Sequence, residues 1–304
     1  MIILDFINVG YGDAVLMREK ETGFAALIDC GASQPECPGT GRVSAVKFLE
    51  RQKIEKLDVL VLTHLHQDHC GAVAEIVEQF DVRELWTNYL PPETYWGTAL
   101  RHVGFLGPVS QKLVDAIDNY LQALALLRCR GAAIRQIGAT GSACWTNKLK
   151  VHFFHSEEQE EALQRQILLE LLTGETSEER LLNLDRILNQ TSLRLRLEYG
   201  NSTVELPGDL NAENYAKQHP GKCTILKLSH HGHKDSMSEE LLGRLMPEGV
   251  VVSVALEKGD ICPDPQILTL LEKNGCQVAI TDEAEAQKRG SVRMELTDRS
   301  FLLC

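Results

Sequence analysis

The sequence has no apolar run long enough to cross a bilayer. Stretches such as LDVLVLT at 57–63 and GVVVSVAL at 249–256 fall well short of the ~20 residues a spanning helix needs, so no membrane anchor is expected. It also has no Cys-x-x-Cys pair, and nine cysteines are an odd number for a disulfide framework. The thiols are therefore expected to be reduced and mostly buried. Basic residues are the scarcer charge: 31 Lys and Arg against 43 Asp and Glu leave a net charge of −12. That balance opposes tight non-specific binding to nucleic acid, where affinity comes from cations that displace counterions from phosphates. No internal repeat, low-complexity stretch or Gly/Ser-rich linker interrupts the chain, which favours one domain over 1–304. Asp5 stands near the start, where a secretory leader would carry Lys or Arg. The opening therefore reads as a strand, and a cytoplasmic location is expected.

What is present describes a folded protein: 43% of residues are hydrophobic and 24% charged. A chain of this length buries roughly 75% of its unfolded surface and needs no metal as a staple, so a metal site would have to serve chemistry. Short apolar stretches bounded by glycine turns predict strands near 1–9, 12–18 and 23–29. GRVSAVKFLERQ at 41–52 has helical spacing, and LDVLVLT reads as a buried strand. From about 98 to 190 helix dominates, over 108–131 and 156–190, with capping boxes expected at Ser156/Gln159 and Thr176/Glu179. KLKVHFFHS at 148–156 alternates like a strand, and strand patterning returns in SLRLRLEYG, STVELPGDL and CTILKLSHHG. The pattern is a β-containing α/β frame carrying a helical insertion.

The chemistry concentrates after the buried strand. His64, His66, Asp68 and His69 fall within six residues of THLHQDHCGA, in a loop at a strand end where sites of layered α/β folds lie. Histidine and carboxylate without thiolate suit zinc, manganese or iron. The paired His-x-His and Asp-His spacing divides naturally between two ions.

Residues 63–72 resemble the His-x-His-x-Asp-His signature of the metallo-β-lactamase superfamily. Within it the sequence is similar to the hydrolase domains of the ComEC family of DNA-uptake channel proteins. The similar segments are NVGYGDAVLM at 8–17, IDCG at 28–31, ELPGDL at 205–210 and LKLSHHG at 226–232. The resemblance implies an αββα sandwich holding two divalent metal ions, zinc or manganese. It implies His64 and His66 at the first ion, Asp68 and His69 at the second, and Asp209 bridging both. His155 is the candidate for the remaining first-site ligand, with His152 as its alternate. One of His230 and His231 completes the second site, and His230 is the expected choice. Asp13 and Asp29 are expected to orient ligands, while Lys227 and Lys234 are expected to add positive potential.

Three departures from the ComEC pattern bear on substrate. His66 replaces an Asp, which favours a full two-metal site; His233 replaces a Ser of the phosphate-suited loop; and Cys262 replaces the His of Gly-His-Pro and is expected as a buried free thiol. Two ions roughly 3.5–4 Å apart can hold a bridging hydroxide as nucleophile near neutral pH, with Asp68 or Asp209 as proton acceptor. The expected activity is hydrolysis of a small-molecule, nucleotide or nucleic-acid phosphodiester. The alternatives are a small ester or lactone hydrolase, a non-enzymatic metal-binding interaction protein, and, more weakly, a di-iron redox protein.

Overall fold

The computed structural model describes residues 1–33, 39–100, 106–257, 262–297 and 300–303. Strands β1 (Ile2–Ile7), β2 (Val15–Glu19) and β3 (Ala25–Ile28) form an antiparallel meander. Helix α1 (Ala45–Arg51), whose N-cap Ser44 side chain accepts from the Lys47 amide, leads through the short β4 (Lys56–Leu57) to β5 (Val59–Leu62). There follow α2 (Gln67–Cys70), α3 (Val73–Gln79), β6 (Asp81–Val82) and β7 (Glu84–Thr87). The middle third holds α4 (Pro108–Cys129), β8 (Ala133–Gln136), β9 (Gly141–Cys144), β10 (Leu149–Phe154), α5 (Glu158–Thr173) and α6 (Glu178–Gln190). The last part runs β11 (Arg194–Tyr199), β12 (Ser202–Leu206), α7 (Ala212–Lys217), β13 (Ile225–Lys227), α8 (Glu239–Leu245) and β14 (Gly249–Val252). It ends with α9 (Pro265–Lys273), β15 (Gln277–Ile280), α10 (Ala284–Arg289), β16 (Ser291–Leu296) and β17 (Phe301–Leu303).

Two sheets stack. One has the order β17-β16-β1-β2-β3-β5-β7-β8, the other β15-β14-β13-β12-β11-β10-β9. Strand alternation divides the apolar residues between layers. In β5, Val59 and Val61 enter the inter-sheet core with Phe6, Trp86, Val151, Leu195 and Ile225, while Leu60 and Leu62 meet Phe48, Ile76, Leu113, Tyr120 and Leu184 on the helical side. The opposite face of the second sheet packs Leu226, Leu228, Val250 and Val252 under Leu241, Leu245 and Leu271. The result is the αββα sandwich expected from the motif. No described helix is long and apolar enough to cross a membrane.

The segment 98–190 is interleaved with this frame: β8 ends one sheet and β9 and β10 belong to the other, while α4, α5 and α6 pack together. The helix expected over 156–190 is split at Gly174, whose left-handed backbone closes α5 at no steric cost. Both expected caps move by one residue: Glu157 starts α5 without a side-chain cap bond, and Ser177 caps α6 by accepting from the Arg180 amide. None of the seven described cysteines forms a disulfide; Cys30, Cys70, Cys223 and Cys262 are buried and Cys129 and Cys144 exposed.

Candidate metal centre

The two sheets present strand ends to one edge, and the loops there converge. His64 and His66 follow β5, Asp68 and His69 lie in α2, Asp209 follows β12, and His231 lies in the turn after β13. The convergence depends on close backbone approach. Gly12 has φ 135 and a β-carbon there would lie 2.2 Å from the Asp68 carbonyl oxygen, so only glycine lets the Asp13 amide bond that carbonyl at 3.1 Å.

Each histidine has one nitrogen committed to the protein and the other turned inward. His69 Nδ1 donates to Asp29 Oδ2 at 2.8 Å, His231 Nδ1 donates to the Ser253 carbonyl at 2.9 Å, and His66 Nε2 donates to the Asp185 carbonyl at 3.0 Å. His64 Nδ1 lies 3.1 Å from Thr63 Oγ1 and 3.3 Å from Ser192 Oγ. The remaining nitrogens face one another or carboxylates. His64 Nε2 is 3.1 Å from His66 Nδ1. His69 Nε2 and His231 Nε2 each stand 3.2 Å from Asp209 Oδ2, and His231 Nε2 is 3.1 Å from Asp68 Oδ2.

Such an arrangement is repulsive unless a proton or a cation sits between the groups. Ligands bound at about 2.0–2.1 Å to a tetrahedral ion stand a little over 3 Å apart, which is the spacing seen. His69 Nε2 and Asp209 Oδ1 are buried without a hydrogen-bond partner among the described residues, and outer partners that fix the tautomer, as Asp29 and Ser253 do here, accompany metal-binding histidines. The donor set therefore fits divalent metal. In the metal-free chain protons substitute: burial would depress His231, yet Asp209 and Asp68 push it up to about 9. His69 is raised in the same sense by Asp209 and Asp29 against its burial. His64 goes the other way, held neutral by burial and by the neighbouring His69 and His66. Burial opposes ionisation of Asp209, but His231, His69 and Lys227 overcome it and hold the carboxyl far below its usual range.

Lys227, expected to add positive potential beside the His-His-Gly loop, is buried. Its ammonium pairs with Asp13 and lies 3.6 Å from Asp209 Oδ1, so it neutralises carboxylates inside the site. Lys234 is exposed on its loop. Asp13 stands 3.9 Å from His69 Nδ1 and 3.8 Å from His231 Nδ1. Asp13, His69, Asp209 and His231 form a compact buried group able to hold an ion.

Two expected ligands fall elsewhere. His230 turns its Nδ1 to Asp235 at 3.0 Å and joins His233 and Asp235 in a second, more exposed group at the rim. Both His230 and His231 have left-handed backbone, φ 46 and 53, and this turn sends the second imidazole inward. His155 faces Glu161 at 2.7 Å and lines a separate pocket with Phe154, Glu160 and Lys217. The reason is topological: β11 lies between β10 and β12, so the end of β10 is two strands, about 10 Å, from that of β12. His152 faces Glu198 at 2.9 Å. Sequence reasoning missed Thr63, Asp185, Asn189, Ser192 and Lys112. The Thr63 position beside the motif and the Asn189–Ser192 approach to β11 were visible, but nothing local ties them to the site.

Above the ligands a cavity of about 310 Å³ is lined by Tyr11, His66, Asp68, Asp209 and His231 from the loops, and by Val109, Lys112 and Leu113 of α4 and Asp185 and Asn189 of α6.

With this geometry the comparisons agree. The sequence profile of the metallo-β-lactamase superfamily matches residues 7–254, and the chain belongs to that superfamily, whose members are mostly metal-dependent hydrolases. It is 25% identical over 295 residues to ComE operon protein 3 of Bacillus subtilis (strain 168), covering 92% of this chain and 32% of that protein. The chain thus spans about a third of the length of this relative. The metallo-β-lactamase fold protein YhfI from Bacillus subtilis superposes with a TM-score of 0.53 at 10% identity, over 92% of this chain and 95% of YhfI. A mutant of the β-hydroxylase CmlA gives 0.50 at 11% identity, over 92% of this chain and 52% of CmlA. At such identities the structural likenesses establish the fold alone.

Proposed function

We propose that the chain is a two-metal phosphodiesterase acting on a nucleotide-sized or single-stranded substrate, with zinc or manganese as its ions. The observation that carries this reading is the set of inward-turned nitrogens and carboxylates, spaced 3.1–3.2 Å, of which His66, Asp68, Asp209 and His231 line one open cavity. Divalent ions there would polarise a phosphate and supply hydroxide near neutral pH. Asp209, held ionised by His231, His69 and Lys227, can accept the proton of attacking water, and Asp68 can orient that water. Lys112 on the cavity wall is placed to pair with a phosphate oxygen, whereas Lys227 stays committed to Asp13. Tyr11 and Val109, both exposed at the mouth, offer apolar surface to a sugar or base.

Support for a phosphodiester over another ester comes from the resemblance of the Gly-Asp and His-His-Gly segments to DNA-uptake hydrolase domains and from Lys112. A cavity of 310 Å³ is at the small end for ligand sites, and the net charge of −12 disfavours long duplexes. Cysteines without disulfides among the described residues fit a reducing compartment such as the cytoplasm.

Zinc- and manganese-loaded protein assayed side by side on bis-p-nitrophenyl phosphate, a dinucleotide, single-stranded DNA and a lactone tests the reading. Phosphodiesters should be turned over, and Asp209→Ala should bring the rate to background. Turnover of the lactone alone, or phosphodiester turnover that survives Asp209→Ala, would overturn it.

A further inference from the structure

With His155 two strands away, the first metal position keeps two histidines, His64 and His66, and shares Asp209. The side of the position left open is walled by α6. Asp185 and Asn189 lie four residues apart on that helix and so share a face, and both line the cavity. Asp185 holds His66 through its carbonyl at 3.0 Å and its Oδ1 at 3.3 Å.

Asn189 is oriented from the other side. Asp235 Oδ1 accepts from His230 Nδ1 at 3.0 Å, so His230 Nε2 is the accepting nitrogen, and Asn189 Nδ2 lies 3.3 Å from it. The amide nitrogen is thereby committed to His230. The amide oxygen is left free: Asn189 Oδ1 is buried and has no hydrogen-bond partner among the described residues. A buried carbonyl oxygen without a partner is costly, and this one belongs to a residue lining the same cavity as His66, Asp209 and His231. The left-handed backbone at His230 and His231 serves both tasks, sending one imidazole to the ligand cluster and the other to Asn189.

We propose that Asn189 supplies, through Oδ1, the third protein ligand of the first metal position, oriented by the Asp235–His230 pair. The inference rests on the two-metal reading. An amide oxygen is a harder donor than imidazole, and oxygen donors suit manganese while imidazole suits zinc. Asn189 in place of a histidine therefore tilts this position away from zinc and toward manganese.

The test is metal binding to the full chain by chelator competition and calorimetry, with Mn²⁺ and Zn²⁺ in parallel and no substrate present. Wild type should bind two ions. Asn189→Ala should weaken one of the two by about 10–100-fold, the range for changes around a metal site, and leave the other unchanged. Asn189→His should raise the preference of that position for Zn²⁺ over Mn²⁺ at least tenfold, a reversal that a merely structural role would not produce. Unaltered affinities in Asn189→Ala, or an unaltered preference in a folded Asn189→His, would overturn the assignment. Failure of the two-metal reading looks different: wild type itself would then bind fewer than two ions.

Discussion

Replacing His231 and His155 separately by alanine tests the tertiary arrangement directly, because both stand in histidine-bearing segments of the sequence and only one reaches the cluster. His231 is fully buried, with Nε2 at 3.1 and 3.2 Å from Asp68 and Asp209. A zinc site with four protein ligands is worth about 10–16 kcal/mol, or about 2.5–4 kcal/mol per ligand. Loss of one imidazole thus predicts a fall of roughly 10²–10³-fold in affinity at that position. His155 contacts Glu161 and a separate pocket. Substitutions at separated sites couple by no more than about 0.5 kcal/mol, so His155→Ala should change metal affinity by only about twofold. The assay is competition with a calibrated chelator, followed by elemental analysis of the dialysed protein. His231→Ala should retain one ion and His155→Ala two. Equal losses in both variants, or two tightly held ions in His231→Ala, would refute the geometry.

Lys227→Met removes the ammonium paired with buried Asp13, and breaking a buried pair costs about 3–5 kcal/mol. Urea denaturation of the metal-free protein should show that loss; a stability equal to wild type would contradict the pairing. Gly12→Ala should destabilise by about 1–3 kcal/mol from the strained backbone alone and weaken metal binding, because its β-carbon meets Asp68; wild-type metal affinity would show that the approach is not required. Asp282 accepts from Arg42 and Asn8, and although burial raises its carboxyl, these partners hold it below the usual value. A depressed carboxyl adds stability that is complete above its unfolded pKa, about 3.9, and is lost as pH falls through the lower folded value. The stability difference between wild type and Arg42→Met should therefore be constant above about pH 5 and shrink below pH 4. A difference that stays constant down to pH 2 would assign it to packing.

The linear pattern of residues determined the layers and the heart of the site. The near-continuous apolar run LDVLVLT required a strand buried on both faces, and the histidines packed into six positions after it could share ions wherever the chain went next. Helix ends were legible to within a few residues, except where Gly174 split one helix into two. What only the tertiary structure decided was which distant groups arrive. His155 and Asn189 belong to neighbouring segments, and strand order alone separates them: β11 intervenes between β10 and β12 and carries His155 away, while α6 brings Asn189 to the cavity. The choice between His230 and His231 turned on two left-handed residues in succession, a conformation that Gly232 does not announce from the sequence. Local periodicity follows from the spacing of apolar groups along the backbone, but the convergence of side chains 160 residues apart, such as Asp68 and His231 with their separation of 163, follows from sheet order and packing.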